Sequence, residues 1–174
     1  MNNISLFITD IDGVWTDGGM YYDETGNEFK KFNTADSGGV AFLRLLNIPV
    51  AIITGETTTI VKRRAQKLRI EHLYMGATNK LRVARQLCSS LGINLSEVAY
   101  IGDDINDIEL LKAVGLSATP LNAPAYIKEL ATWVIPVKGG DGAFRAFVEK
   151  YLAEANLLDN AIEKFLLQQA SLNQ

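Results

Sequence analysis

Two apolar patterns alternate along the chain. Short uninterrupted apolar segments are typical of strands buried on both faces of a sheet. Each is followed by a segment whose apolar residues recur every three or four positions, which is typical of amphipathic helices. Strands that alternate with helices over short connections predict a parallel sheet with right-handed crossovers. The predicted strands are residues 4–8, 49–53, 73–74, 98–101, 116–118 and 133–135.

The helical segments are expected to cover this sheet. Residues 78–91 illustrate the pattern, because Leu81, Ala84 and Leu87 share one helix face. The sequence therefore predicts one α/β domain over residues 1–174, with a doubly wound, Rossmann-like parallel sheet. The other predicted helices are 36–46, 57–69, one ending at Val114, a short one from Ala123, 143–153 and a C-terminal tail over 157–174.

An aromatic segment interrupts the alternation after the first predicted strand. Tyr21 and Tyr22 precede a polar Gly-Asn turn, and Phe29 and Phe32 follow it. Aromatic runs around such a turn predict a β-hairpin, here over residues 18–33. A two-stranded hairpin is marginal in water, and nothing else in the chain is large enough to cover these rings. We therefore predict that copies of the chain associate through their hairpins.

Composition and charge argue against several functional classes. Of the 174 residues, 48% are hydrophobic and 21% charged, as in an ordinary soluble domain. The net charge of −3 gives no reason to expect nucleic acid or a membrane surface as a partner. No apolar run approaches the roughly 20 residues that span a bilayer, and we expect no signal peptide before the first strand. Cys88 is the single cysteine, so we expect no disulfide and a cytoplasmic protein.

Polar residues stand where the predicted strands end. Asp10 and Asp12 follow the first strand, Thr54 follows the second, and Asp103 follows the fourth. Ligands of doubly wound sheets bind beyond the carboxyl ends of the strands, so these side chains are expected to converge there. Carboxylate oxygens are the ligands that magnesium prefers, and the arrangement therefore predicts a magnesium site.

These residues suit phosphoryl transfer. Asp10 lies at the end of the strand and is the better nucleophile, while Asp12, just beyond it, can give and take protons. Thr54 offers a hydroxyl to a phosphate, and Lys80 can neutralise the phosphate and the nucleophile together. Taken singly, each signal has a structural explanation: a capped helix start, a solvated lysine, or acids at a helix N-terminus. Two further acids, Asp104 and Asp107, are expected to orient the metal ligands.

The four motifs together, in this order, resemble the haloacid dehalogenase-like phosphatase superfamily. The motifs are Asp10-Ile11-Asp12-Gly13, Thr54, Lys80 and the segment from Gly102 to Asp107. The resemblance implies that Asp10 is the nucleophile and Asp12 the acid/base. It also implies that magnesium is held by Asp10, by the backbone carbonyl of Asp12 and by Asp103.

Further motifs resemble the small branch of this superfamily that lacks a separate cap domain, for which the chain has no room beyond the hairpin. That branch hydrolyses phosphates of keto-deoxy sugar acids with eight or nine carbons. The resemblance implies a homotetramer in which a neighbour completes each site. It also implies that the substrate is bound by Asp12, Thr34, Thr54, Gly55, Glu56, Arg64, Lys67, Lys80 and Asn106.

The choice of sugar acid depends on a few positions. The octulosonate 8-phosphate phosphatases typically have Arg at the position of Ala35, Arg at that of Glu56 and Asp at that of Lys67. The nonulosonate 9-phosphate phosphatases look closer to this chain at these positions. Arg64 and Lys67 share a helix face roughly 15–20 Å from their own phosphate site, so they are expected to serve a neighbouring subunit. We therefore expect 2-keto-3-deoxynonulosonate 9-phosphate as the substrate, with 3-deoxy-manno-octulosonate 8-phosphate as the alternative.

Two further alternatives belong to other functional classes. A response-regulator receiver also has a doubly wound sheet, acids, a Thr and a Lys, but its phosphorylated Asp ends the third strand, where this chain has Met75 and Gly76. A non-catalytic assembly module, similar to those fused to sialic-acid cytidylyltransferases, need not keep its metal acids and Lys80. Because this chain keeps them, we favour catalysis.

The hairpin generates a prediction about assembly. Sedimentation at micromolar concentration should show a homotetramer, because pairing with copies of itself both covers the aromatic side chains and closes the free strand edges. A monomer under these conditions would rule out association through residues 18–33.

Overall fold

The computed structural model describes residues 3–172 and contains a six-stranded parallel sheet. Its strand order is β5-β4-β1-β6-β7-β8, and each neighbouring pair is parallel. The doubly wound α/β prediction is confirmed. The eight strands are β1 (Leu6–Thr9), β2 (Tyr21–Tyr22), β3 (Glu28–Phe29), β4 (Val50–Ile53), β5 (His72–Tyr74), β6 (Val98–Ile101), β7 (Leu116–Pro120) and β8 (Trp133–Ile135).

Helices connect the strands of this sheet, and their ends differ from the predictions by a few residues. The predicted helix 57–69 begins at Thr59, because Thr58 is extended. The helix predicted to end at Val114 begins as a separate 3₁₀ turn at Ile105–Asp107. The helices are α1 (Asp36–Leu45), α2 (Thr59–Leu68), α3 (Lys80–Leu91), α4 (Ile108–Ala113), α5 (Ala125–Lys128), α6 (Ala143–Glu154) and α7 (Leu158–Leu172).

The sheet separates two apolar layers. Successive side chains of β1 alternate between them: Phe7 packs with Phe147 and Tyr151 on one side, while Leu6 and Ile8 belong to the other. Because both faces are covered, the strand is apolar throughout. Each fully buried side chain of this kind contributes about 1.5–3 kcal/mol, so the central strand is held firmly in place.

The predicted hairpin is present but has short strands. β2 and β3 pair antiparallel over two residues each, and a bridge between Thr16 and Phe32 closes its base. Tyr22 is 64% exposed and Phe29 is 56% exposed. The aromatic face is thus uncovered by the described residues of its own chain, and association through it stays a prediction.

The insertion between β1 and α1 contains only the hairpin, and residues 3–172 include no separate cap domain. Cys88 is buried as a free thiol. Among these residues no helix has both the length and the apolar character required to cross a bilayer.

A buried carboxyl joins the starts of α1 and α6. Asp36 is fully buried, and its Oδ1 accepts a hydrogen bond of 3.1 Å from the backbone N–H of Arg145. Its Oδ2 lacks a hydrogen-bond partner among the described residues. Burial raises the pKa of Asp36 to about 6, although the bond from Arg145 and the charge of Arg64 oppose the shift.

This shift predicts a pH-dependent stability. A raised pKa in the folded protein means that protonation of Asp36 stabilises the fold, and that this stability is lost as the pH rises through about 6. Asp36→Asn removes the titrating group. The free energy of unfolding of the variant, relative to that of the wild type, should therefore rise by about 1 kcal/mol between pH 5 and pH 7. Thermal unfolding of both proteins at the two pH values measures the difference, and an equal difference at both values would contradict the assignment.

Candidate active site

The carboxyl ends of three central strands meet around one cavity. Asp10 directly follows β1, Thr54 directly follows β4, and Asp103 lies two residues beyond β6. The cavity has a volume of about 300 Å³. It is lined by Asp10, Asp12, Gly13, Gly18, Thr54, Gly55, Glu56, Asp103, Asp104 and Asn106.

Three carboxylates crowd together at this edge of the sheet. Asp10, Asp103 and Asp107 each offer an oxygen, and these oxygens all lie within 4.8 Å of one another. Burial raises the pKa of Asp10 to about 7, and the neighbouring Asp107 adds to the effect. Burial raises the pKa of Asp103 to about 8, helped by Asp10 and Asp107. The protein's own cations therefore do not balance the negative charge of the cluster.

Lys80 supplies one positive charge to the cluster. Its side chain is 1% exposed, and its Nζ lies 2.9 Å from Asp10 Oδ2 and 2.6 Å from Asp107 Oδ1. Burial lowers the pKa of Lys80, but the two carboxylates outweigh burial and the net shift is upward. Lys80 is the first residue of α3, and the Asn79 side chain caps this helix by accepting from Arg82 N. The ammonium group is thus held charged beside Asp10.

Asp107 uses both of its oxygens within the protein. Its Oδ1 accepts hydrogen bonds from Lys80 and from the buried Tyr100 hydroxyl. Its Oδ2 accepts from the backbone N–H groups of Asp103 and Asp104, at 2.8 and 3.0 Å. Although Asp107 lies close enough to share a metal, these four bonds suit it better to holding Lys80 and the Asp103 loop in place.

The remaining acids fit a divalent cation. Asp103 Oδ1 is buried and has no hydrogen-bond partner among the described residues. Gly13 allows Asp103 to come this close, because a Cβ on Gly13 would lie 1.9 Å from Asp103 Oδ2, and its φ of +81° also favours glycine. That magnesium is held here by the carboxylates of Asp10 and Asp103 and by the backbone carbonyl of Asp12 stays a prediction, and such hard oxygens are the ligands that magnesium prefers.

The Asp12 side chain is turned to other partners. Its Oδ1 accepts hydrogen bonds from Lys30 Nζ at 2.7 Å and from Thr16 Oγ1 at 3.2 Å. Its Oδ2 has no partner among the described residues. Oδ2 is buried, although the residue as a whole lines the cavity.

Comparison with known proteins identifies the family. Residues 50–147 match the model of the haloacid dehalogenase-like hydrolases. The 3-deoxy-D-manno-octulosonate 8-phosphate phosphatase of Yersinia pestis is 39% identical over 159 residues, which are 91% of this chain and 85% of that protein. The chain belongs to the haloacid dehalogenase-like hydrolases.

Solved structures of such hydrolases agree with this fold. A probable YrbI family phosphatase from Pseudomonas syringae has a TM-score of 0.90 and 40% identity, covering 94% of this chain and 93% of that one. The 3-deoxy-D-manno-octulosonate 8-phosphate phosphatase of Moraxella catarrhalis, solved with magnesium, phosphate and a KDO molecule, has a TM-score of 0.89 and 36% identity. This alignment covers 93% of this chain and 93% of that one.

The site of this haloacid dehalogenase-like hydrolase contains most of the residues expected from the sequence. The expected cavity residues Thr54, Gly55, Glu56 and Asn106 lie together with the acids, and Lys80 contacts Asp10. The expected ligands Thr34, Arg64 and Lys67 do not line this cavity. The Thr34 and Lys67 residues are exposed.

Arg64 is held within its own chain. Its guanidinium donates to the backbone carbonyl of Asn33 at 3.0 Å. It also lies 5.9 Å from the ring centre of Trp15 and 5.7 Å from that of Phe32. These contacts fix the guanidinium at the base of the hairpin, so its assignment to a neighbour's site stays a prediction.

Three residues of the site were not predicted. Lys30 and Thr16 bind Asp12, and Tyr100 binds Asp107. Tyr100 looks like an ordinary apolar strand residue in the sequence, and no spacing rule links Lys30 to an acid 18 positions away. Because a buried tyrosine hydroxyl needs a hydrogen-bond partner, Tyr100 is the residue of these three whose role the sequence could have indicated.

Asp107 generates a stability prediction. Asp107→Ala leaves four hydrogen-bond donors without this acceptor, and we expect a loss of about 3 kcal/mol or more in the free energy of unfolding. Asp104→Ala is the matched control. Asp104 belongs to the same motif but is exposed, and its side chain caps the 3₁₀ turn by accepting from the backbone N–H groups of Ile105 and Asp107, so about 1 kcal/mol is expected. Denaturant unfolding measures both, and similar losses in the two variants would contradict the role given to Asp107.

Proposed function

We propose that this protein is a magnesium-dependent phosphatase that hydrolyses 3-deoxy-D-manno-octulosonate 8-phosphate. The observation that carries the reaction class is the buried carboxylate cluster with Lys80 Nζ 2.9 Å from Asp10 Oδ2. The choice of substrate is supported by relatives of that name, including one from Haemophilus influenzae that is 34% identical and covers all of this chain.

Asp10 and Lys80 carry the first step. Asp10 attacks phosphorus and forms an aspartyl-phosphate, while the ester bond to the sugar oxygen breaks. Lys80 neutralises Asp10 and the phosphate oxygens, so that one anion can approach another. Magnesium, when held by Asp10, Asp103 and the backbone carbonyl of Asp12, supplies the remaining positive charge at the phosphate.

Asp12 and Thr54 complete the reaction. Asp12 donates a proton to the leaving sugar oxygen, then accepts one from the water that hydrolyses the aspartyl-phosphate. The Thr54 hydroxyl is buried, lines the cavity and can donate to a phosphate oxygen. Asp104 and Asp107 hold the loop that carries Asp103, as expected of residues that orient a metal ligand.

The proposed sugar acid differs from the one expected from the sequence. The relatives named above favour the eight-carbon alternative over the nine-carbon substrate expected from Ala35, Glu56 and Lys67. Glu56 is exposed at the cavity, whereas Lys67 does not line it. The nine-carbon acid is kept as the second candidate because these three positions depart from the octulosonate pattern.

Assembly is a separate part of the proposal. Exposed aromatic side chains on the hairpin support a homotetramer in which Thr34, Arg64 or Lys67 of one subunit approaches the site of another. The C-terminal helix α7 exposes Ile162, Leu166 and other apolar residues. This exposure supports the proposal that residues 157–174 help to cover an active site, either that of their own chain or that of a neighbouring subunit.

The substrate assay tests the proposed function. Purified protein should release phosphate from 3-deoxy-D-manno-octulosonate 8-phosphate only with magnesium, and with a higher kcat/KM than from 2-keto-3-deoxynonulosonate 9-phosphate. Asp10→Asn should lose at least about 10³-fold in kcat, because the nucleophile is removed while the shape is kept. A cooperative thermal unfolding transition in this variant serves as the folding control.

Different results would overturn different parts. A higher kcat/KM for the nine-carbon acid would replace the substrate and leave the phosphatase in place. No magnesium-dependent hydrolysis of either substrate, or near wild-type turnover by Asp10→Asn, would contradict the proposed reaction.

A further inference from the structure

A second buried lysine lies beside the site, and it comes from the hairpin. The Lys30 side chain is 1% exposed, as little as that of Lys80. Its Nζ lies 2.7 Å from Asp12 Oδ1 and 3.6 Å from Glu28 Oε1. Burial lowers the pKa of Lys30, but Asp12 and its other acidic neighbours outweigh burial, and the net shift is upward. A charged lysine buried to this extent requires a carboxylate partner.

The two oxygens of Asp12 have different surroundings. Oδ1 accepts from both Lys30 and Thr16, whereas Oδ2 has no hydrogen-bond partner in residues 3–172. A general acid/base works best when one oxygen is anchored and the other is left to exchange the proton. The arrangement around Asp12 therefore fixes the orientation of the carboxyl group without occupying its second oxygen.

The positions of Lys30 and Thr16 are themselves fixed by the hairpin. Lys30 directly follows β3, and Thr16 forms the bridge to Phe32 that closes the hairpin base. The Thr16 hydroxyl also accepts from the backbone N–H groups of Gly13 and Gly18. Both donors to Asp12 Oδ1 thus depend on how the hairpin folds back on the strand end.

We propose that Lys30 is a positioning residue that holds Asp12 for proton transfer, an inference that rests on the proposed phosphatase function. Lys30 fixes Oδ1, and the proton passes from Oδ2 to the sugar oxygen as the bond between that oxygen and phosphorus breaks. In the second step the proton returns to Oδ2 from the hydrolytic water. The hairpin thereby belongs to the catalytic apparatus as well as to the predicted subunit contact.

Two other roles for Lys30 are distinguishable from positioning. A direct contact with the anionic substrate would require the charge of Lys30 to be free, but Asp12, Glu28 and Glu56 already surround it. A purely structural role would affect all substrates alike. Positioning of an acid matters most when the leaving group needs a proton.

Variants at two adjacent lysines test the proposal. Lys30→Met removes the donor and keeps an apolar side chain, and Lys30→Gln keeps a hydrogen-bond donor. Lys31→Met is the matched control, because Lys31 lies on the same hairpin but its side chain is 58% exposed and 3.7 Å from Asp17. Each protein is compared with the wild type in single-turnover reactions at saturating magnesium, in which release of the sugar acid or of p-nitrophenol reports the first step alone.

The substrates differ in their leaving groups. With the sugar-acid phosphate, whose alkoxide must be protonated, Lys30→Met should slow the single-turnover rate by about 10- to 100-fold. With p-nitrophenyl phosphate, whose acidic phenol leaves without a proton, the loss should stay below about threefold. Lys30→Gln should recover part of the sugar-phosphate rate, and Lys31→Met should match the wild type with both substrates.

Each contrary result has its own meaning. Equal losses with both substrates would assign Lys30 a structural role, a loss confined to KM would assign it to substrate binding, and no loss would remove it from the site. All three would overturn the proposal. Failure of the wild type itself to hydrolyse the sugar-acid phosphate would instead contradict the proposed function. Lys30→Gln keeps the test decisive if Lys30→Met does not fold, as judged by thermal unfolding.

Discussion

The ion pair of Lys80 with Asp10 and Asp107 is the interaction on which this site depends. Three carboxylates and one ammonium group are brought together in a largely buried place, where unbalanced charge is costly. One lysine does not balance three acids, and burial together with the neighbouring carboxylates raises the pKa values of Asp10 and Asp103. A divalent cation supplies the positive charge that such a site lacks.

The fold makes this concentration of charge possible. The acids extend from β1 and from the loop after β6, which are neighbours at the centre of the sheet, and Lys80 begins the helix after β5. The apolar layers on both faces hold β1 in place, so the crowded carboxylates cannot relax by moving apart. Asp107 and Tyr100 then fix the lysine and the Asp103 loop from behind.

The hairpin connects the site to the surface of the molecule. Tyr22 and Phe29 are exposed, while Lys30, the residue after Phe29, is buried against Asp12. This arrangement follows from the strand period of two, which sends adjacent side chains to opposite faces. Any contact that covers the aromatic face would therefore also stabilise the backbone that positions Lys30.

The sugar acid expected from three sequence positions differs from the one that the named relatives favour. Glu56 lies at the open side of the cavity, Lys67 is exposed, and the residues expected to bind the distal part of the substrate do not line the cavity of their own chain. The effect of such exposed residues on substrate specificity depends on which surface of a neighbouring subunit would face them in an assembly. The proposal of an octulosonate phosphate as substrate therefore rests on the likeness of the chain to phosphatases of that name.

The sequence by itself determined the strands, the helices to within a few residues, and the carboxylates at the strand ends. These follow from patterns between near neighbours: continuous apolar runs define buried strands, and parallel strands present their carboxyl ends at one edge. Only the tertiary structure decided the partners of those residues. Lys30 meets Asp12 across 18 positions, and Arg145 meets Asp36 across 109. Such contacts depend on the path of the whole chain and on burial, because a buried charge or polar group needs a partner. Patterns between near neighbours contain no information on either.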